Sequence, residues 1–394
     1  MLLEKFSELA AIQAELDDLG IRPFGAVTQS LESATRGFVD GHEVILAGTN
    51  NYLGLSQDPR CIEAACRGAR EWGTGTTGSR MANGTFSEHL ALEREFADLY
   101  DVAQAIIFTT GYAATQGMCA TLAGRDDIIV LDADSHACLY SGAQLSGAQI
   151  IRYRHNDPDD LAKRLRRLGD RTRNTLIVTE GIYSMLGDVA PLNEIAAAKR
   201  EYGGTLMVDE AHSLGILGEQ GKGAAAEAGI ESDVDFLVGT FSKSLGTTGG
   251  FCVSPHGALE SIRFAVRSYI FTASPTPSVV AATREALAIM RSEPELRQRL
   301  WHNAQRLYAE LETLGFHLGP MASPVVAVTI DDRLQALRFW QRLLESGVYV
   351  NLVVPPASPS QNSLLRVSLS AAHSEADVTC IINAFKNAKQ SITG

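Results

Sequence analysis

The chain has 394 residues, 45% hydrophobic and 20% charged, the make-up of an ordinary soluble globular protein of about two or three structural units. Its 34 Lys and Arg against 46 Asp and Glu give a formal net charge of −12, and no basic stripe tracks along it, which argues against nucleic acid as a partner. No apolar run reaches the length of a transmembrane helix.

The opening segment, MLLEKFSELAAIQAELDDLG, carries the pattern of an acidic amphipathic helix that stops at Gly20. It lacks the basic start and apolar core of a signal peptide, so the chain is expected in the cytoplasm. EVILAG (43–48) is the first expected strand. Further apolar runs follow at QAIIFT (104–109), DIIVLD (127–132), AQIIRY (148–153), TLIVTE (175–180), TLMVDE (205–210), DFLVGT (235–240) and GGFCVS (249–254). Helical patterns such as SEHLALEREFADLY (87–100) and PLNEIAAAKREYG (191–203) fill many of the gaps. Most of the strand-like runs are apolar on both faces, as expected of strands buried between helix layers. The alternation predicts a three-layer α/β/α domain with a mostly parallel sheet.

From about residue 275 the pattern changes. Two long helices broken near Ser292 to Pro294 lead to a strand PVVAVTI (324–330), a helix over 332–347, a strand LLRVSLS (364–370) and a last helix from about Ser374. This reads as a smaller α+β domain. The expected division is an N-terminal helix and short strand segment over 1–45, a large domain over 46–280 and a small C-terminal domain over 281–394. VVPPASPSQNS (353–363), rich in Pro and Ser, is expected to be a mobile loop. The basic run KRLRR (163–167) reads as a solvated helix face, with a nucleotide phosphate as the other option. The six cysteines show no metal-ligand spacing, and five lie in stretches that suggest buried thiols, so no metal is expected.

Two motifs carry chemistry. Lys243 sits in TFSKSLGTTGG (Thr240 to Gly250), among small residues and hydroxyls, where a lysine can hold an aldehyde as a Schiff base. Asp209 ends the apolar run TLMVDE, where a carboxylate can sit under a pyridinium nitrogen. Together these are what pyridoxal 5'-phosphate (PLP) needs from a protein. FTTGYAATQG (Phe108 to Gly117) follows a strand and opens a helix, so the amides of Gly111 and Tyr112 can face a phosphate, with Thr240 and Ser242 in reach. His136, in LDADSHACLY, can stack on a pyridine face or simply start a helix. His212, three residues after Asp209, can bond a phenolic oxygen or simply pack. Glu180 ends a strand in TEGIYSMLGDVAPL, so it or Ser184 can line the site, while Asp188 reads as a turn cap. Arg366 interrupts the apolar LLRVSLS and needs an anion, either a substrate carboxylate or an internal partner. The glycine-rich GTGTTGSRMANGT (73–85) reads as a flexible loop that can contact a thioester or nucleotide.

TFSKSLGTTGG, VDEAHSLGILGEQGKG, DADSHAC, TEGIYSMLGDVAPL and GTGTTGSRMANGT together resemble the α-oxoamine synthases, from about residue 45 to the C-terminus. That family consists of fold-type I PLP enzymes that condense an amino acid with an acyl thioester and lose CO2. GSRMANGTF, YSMLGDVAPL and YIFTASPTPS look most like the bacterial members that join L-serine to palmitoyl-CoA. The resemblance implies a 2-amino ketone product, 3-ketodihydrosphingosine, the first step of sphingolipid synthesis. It gives Lys243 the cofactor aldehyde and the α-proton, Asp209 the pyridinium nitrogen, His136 the ring face and His212 the phenolic oxygen. Gly111, Tyr112, Thr240 and Ser242 surround the phosphate. Thr272 is supplied to the phosphate by the other subunit of a homodimer with a shared active site. Arg366 receives the amino-acid carboxylate, and Asn51 and Tyr52 lie near the substrate. Val353 and Val354 stand where some of these enzymes carry a further arginine. The alternatives are a sister enzyme using glycine, L-alanine or an acyl-carrier-protein thioester, and an aminotransferase.

Overall fold

The computed structural model describes residues 2–355, 357–358 and 362–393. It divides into two units, residues 50–302 and residues 1–49 with 303–394. In chain order the strands are β1 (Thr28–Leu31), β2 (Arg36–Val39), β3 (His42–Leu46), β4 (Gln104–Phe108), β5 (Ile128–Asp132), β6 (Gln149–Tyr153), β7 (Thr175–Glu180), β8 (Thr205–Asp209), β9 (Phe236–Thr240), β10 (Gly250–Ser254), β11 (His317–Leu318), β12 (Val325–Ile330), β13 (Val348–Tyr349), β14 (Asn351–Val353) and β15 (Ser363–Ser368).

The 50–302 unit is built on a seven-stranded sheet of order β4-β10-β9-β8-β7-β5-β6. β9, β8, β7, β5 and β6 pair in parallel, and β10 alone runs against both of its neighbours, β4 and β9. The expected mostly parallel sheet is therefore present. β5, β7, β9 and β10 are buried at every position, which requires cover on both faces. Part of that cover is the Ser87–Tyr100 helix, whose Phe96 stacks on Phe251 and Phe241 at ring-centroid distances of 4.5 and 5.2 Å. Burying rings of this size drives the layer together. β6 departs from the expectation of burial on both faces. It is the sheet edge, and only Tyr153 in it is buried.

The other unit holds two four-stranded sheets, β1-β2-β3-β13 and β11-β12-β15-β14. The helix expected at the N-terminus spans Ser7–Leu19 and ends at Gly20, whose φ of 66° is a left-handed cap that an L side chain disfavours. Gly20 N–H donates to Asp17 O and Ile21 N–H to Leu16 O, each at 3.1 Å, closing the last turn. The Arg333–Glu345 helix starts on Asp332, whose Oδ1 accepts from Gln335 N–H at 2.7 Å.

The division differs from the boundaries expected near 45 and 280. Val348 and Tyr349 of β13 pair with Ile45 and Leu46 of β3, and Ser368 N–H donates to Ala47 O at 2.7 Å. These bonds tie the N-terminal segment to the C-terminal unit. The Pro277–Ser292 helix stays in the 50–302 unit because it packs against the Pro59–Trp72 helix. The expected loop over 353–363 falls partly on residues 356 and 359–361, outside the described residues. Cys61, Cys119, Cys138 and Cys252 are buried, whereas Cys66 is half-buried and Cys380 exposed, so four thiols and not five are interior.

Candidate active site

β4, β5, β7, β8 and β9 run in one direction, so their carboxyl ends lie along one edge of the sheet, the position where open α/β sheets bind ligands. A cavity of about 270 Å³ opens there. Gly111 and Tyr112 after β4, His136 after β5, Glu180 ending β7, Asp209 ending β8 with His212 beyond it, and Thr240, Ser242 and Lys243 at the end of β9 all line it.

One end of the cavity is an anion cradle. The Gly111–Leu122 helix starts on Thr110, whose Oγ1 accepts from Ala113 N–H at 3.0 Å. The first backbone bond runs from Ala114 N–H to Thr110 O, so the Gly111 and Tyr112 amides lie ahead of the helical ladder, at the positive end of the helix dipole. A side chain at position 111 would put its Cβ 2.5 Å from Thr240 Cβ and 2.7 Å from Thr240 Oγ1, so only glycine lets the helix start approach β9. Thr240 Oγ1 donates to Gly249 O at 3.1 Å and accepts from Ser242 N–H at 3.2 Å. Ser242 Oγ lies 2.8 Å away and keeps a proton to give to Thr240 Oγ1 or to an anion. Tyr112 directs its phenol elsewhere, donating to Ser141 Oγ at 2.8 Å, so its backbone is what serves the cradle.

At the sheet floor Asp209 is only 4% exposed. Its Oδ2 accepts from Thr115 Oγ1 and its Oδ1 from Ala211 N–H, both at 2.9 Å. His212 Nδ1 lies 2.8 Å from Tyr52 OH, which in turn donates to Asn50 Oδ1 at 3.2 Å. Tyr52 is fully buried, so it orients His212 from behind and does not itself line the cavity. Asn51, expected beside it, is also outside the lining and donates from Nδ2 to Ser56 Oγ at 2.8 Å.

His136 caps the Ala137–Ser146 helix. Its Nδ1 accepts from Cys138 N–H at 3.2 Å, which places the ring proton on Nε2. Burial lowers the ring's pKa, the Lys243 ammonium lowers it further and Asp209 works the other way, so the ring is neutral at neutral pH. His136 is thus a capping histidine that also lines the cavity. Its backbone N–H donates to Glu180 Oε1 at 2.6 Å. Burial first, then Asp209, push the Glu180 carboxyl up to about 8, against the His136 N–H and Lys243. Glu180 is therefore mostly protonated at neutral pH.

Lys243 is half-buried in the lining, on a turn closed by Gly246 N–H to Lys243 O at 3.0 Å and pinned by Ser244 Oγ donating to Leu214 O at 2.6 Å. Ser184 and Thr272 are half-buried outside the lining, and Phe271 beside Thr272 is 75% exposed. Arg366 is buried on β15 in the other unit, with Nη1 donating to Ser368 Oγ at 2.8 Å. Arg80 of the glycine-rich loop points inward, 2.9 Å from Glu93, so it is not presented to a nucleotide. Gly249 of the Lys243 motif also lines the cavity, with Thr110, Thr115, Cys138, Ala211 and Thr248, to which the sequence reading gave no part in the site. The spacing that signals Thr115 is one helical turn beyond Gly111, on the same face.

A family model described as aminotransferase class I and II matches residues 42–385. The chain is 55% identical to a serine palmitoyltransferase of Caulobacter vibrioides, over 94% of this chain and 92% of that one. It is 45% identical to the serine palmitoyltransferase of Sphingomonas paucimobilis, over 99% and 94%. A solved serine palmitoyltransferase from S. paucimobilis with bound PLP–myriocin aldimine superposes with a TM-score of 0.97 at 44% identity, covering 100% of this chain and 99% of that one. The fold is thus the expected fold-type I transferase fold. On these sequence and structural grounds the chain belongs to the aminotransferase class I and II family, in its α-oxoamine synthase branch.

Proposed function

We propose that the chain condenses L-serine with a long-chain acyl-CoA, palmitoyl-CoA in first place, releasing CO2, free CoA and a 2-amino ketone, with PLP as cofactor. The observation that carries this reading is the single cavity that joins a lysine, a fixed carboxylate, two imidazoles and an anion cradle. These donors fit PLP. The Gly111 and Tyr112 amides with Thr240 and Ser242 match its phosphate, the Asp209 carboxylate its pyridinium nitrogen, and Lys243 its aldehyde. When bound, PLP supplies an electron sink conjugated with the substrate nitrogen.

The chain's own residues do the rest. Thr115 and Ala211 fix the Asp209 carboxylate, so its charge faces one direction and favours a protonated ring nitrogen. The neutral His136 ring offers a flat face and an Nε2–H donor. Tyr52 sets the angle of His212, which serves the phenolic oxygen. Lys243 Nζ takes the proton from the substrate Cα and returns one at the end. The carboxylate of serine is assigned to Arg366 by its motif, and Ser184 is retained as a candidate substrate contact. We assign the chain to a cytoplasmic homodimer in which Thr272 completes the phosphate site of the partner; among the described residues no helix is long and apolar enough to cross a membrane.

A spectral titration of the PLP-loaded protein with amino acids, followed by thiol release from acyl-CoAs of graded length, tests the reading. L-Serine should give the strongest shift and long chains the fastest CoA release, since each buried CH2 contributes about 0.8 kcal/mol. Condensation of glycine or L-alanine with serine ignored would move the chain to a sister activity, and accumulation of pyridoxamine phosphate would make it an aminotransferase.

A further inference from the structure

Asp132 ends β5 in the turn that leads to His136, and it is fully buried. Its Oδ1 accepts from Asp134 N–H at 2.8 Å and lies 2.8 Å from His155 Nδ1. Its Oδ2 accepts from Asn156 N–H at 2.9 Å. The other ring nitrogen, His155 Nε2, lies 2.6 Å from Asp188 Oδ2, which also accepts from Asn156 Nδ2 at 2.6 Å. Asp188 is thus no turn cap but a buried partner of His155, 5% exposed.

With a carboxylate at each nitrogen, both must carry protons, and the ring is an imidazolium between two buried anions. Burial opposes that charge, but Asp132 and Asp188 outweigh it and lift the ring's pKa to about 10. The edge of Tyr183 or His155 meets the other ring's face, with centroids 4.5 Å apart and planes at 89°. The charged and titratable groups facing His155 are Asp132, Asp188, the more distant Asp134, and Tyr183.

The bridge joins two segments that both serve the cavity. Asp132 opens the turn Asp132 to His136. Asp188 closes a hairpin that leaves Glu180, in which Ile182 pairs with Val189. Glu180 also holds the His136 amide, so His136 is gripped from both segments, while His155 and Asp188 stay out of the lining. We propose that His155 is a positioning residue for His136, clamping the turn before it to the hairpin after Glu180 through Asp132 and Asp188. Among the described residues no other ion pair joins these two segments at both ends. The inference rests on the cofactor reading of the cavity given above.

The test compares wild type, His155→Gln and the near-isosteric Asp188→Asn. In cofactor-free protein, the His155 ring titration by NMR should lie well above neutrality in wild type and fall toward the ordinary value in Asp188→Asn. In PLP-loaded protein, the visible circular dichroism and the L-serine dissociation constant of each variant are read as ratios to wild type at the same pH, so that the titration of Glu180 near 8, common to all three proteins, drops out. His155→Gln should retain PLP, change the dichroism and weaken L-serine about tenfold, the scale of a small misplacement of a contact group. Asp188→Asn should resemble wild type at about pH 6 and His155→Gln at about pH 8, because its ring loses the proton in between. A purely structural role would not produce that crossover. Should His155→Gln fail to fold, Asp188→Asn decides alone. Wild-type dichroism and serine affinity at every pH in the folded variants overturn the proposal. A wild type that takes up no PLP overturns the cofactor reading itself, and the proposal with it.

Discussion

Thr115 Oγ1 donates to Asp209 Oδ2 at 2.9 Å, so the helix that opens the anion cradle also holds the carboxylate at the opposite end of the cavity. The two ends are thereby set at a fixed separation by one rigid element. Thr115→Val keeps the shape and removes the hydroxyl. It should leave the fold intact and weaken PLP by about tenfold, the loss of one hydrogen bond to a charged group at roughly 1.5 kcal/mol. Thr115→Ser should restore most of the affinity. Titration of cofactor-free protein with PLP, followed by absorbance, decides it.

Lys243 is the lysine of the cavity lining, and the purified protein should be yellow, with a band near roughly 420 nm. Borohydride should fix the cofactor to the Lys243 peptide in wild type and leave Lys243→Ala without covalent label. Label on a different lysine in the wild type would remove Lys243 from its role.

Gly111→Ala places a Cβ 2.5 Å from Thr240 Cβ, a separation that real Cβ atoms do not adopt. The helix start must back away from β9. Overpacking of this kind costs about 1–3 kcal/mol, and the affinity for PLP or inorganic phosphate should fall with it. A variant with wild-type melting temperature and wild-type phosphate affinity would show the contact to be slack.

Glu180 holds its proton up to about pH 8 in the folded chain, above the ordinary carboxyl value of 4.5. Between those values the unfolded chain has released a proton that the folded one keeps, so stability falls as pH rises, by up to about 1.4 kcal/mol per pH unit. Glu180→Gln removes this dependence. Urea unfolding should show the wild type gaining relative to Glu180→Gln on going from pH 8 to pH 5, and parallel curves would mean that Glu180 ionises normally.

Arg366 is 5% exposed, an arginine inside an apolar strand. If it takes the serine carboxylate, Arg366→Ala should raise the L-serine dissociation constant by tens to thousands of fold, from a charge-assisted contact of about 2–5 kcal/mol, and leave PLP bound. Unchanged serine affinity in the spectral titration would return Arg366 to a purely structural part.

The strands that carry the site were legible because each is an apolar run ending in a polar residue. TLIVTE, TLMVDE and DFLVGT end on Glu180, Asp209 and Thr240, and the sheet sets those ends in line. What stayed hidden depends on partners distant in sequence. Tyr52 reaches His212, and His155 reaches Asp188, only through the fold, and no local pattern marks either pair. β1 is exposed at all four positions and β13 and β14 span two and three residues, too short for a period-two pattern to register. The union of the chain's first 49 residues with residues 303–394 follows from the β3–β13 pairing, which hydropathy does not encode.

The reversed strand β10 bears on how the chain matures. Gly250 stands between Phe108 of β4 and Thr240 of β9, so the anion cradle has no closed wall until β10 is inserted. Without β10 the strand ends of β5, β7 and β8 would lack the neighbour that spaces β4 from β9. Ligand affinity therefore belongs to the finished sheet alone, and a ligand that binds only the finished sheet adds its binding free energy to that state and to no earlier one. The cavity wall is thus completed by the strand of this sheet that comes last in the sequence.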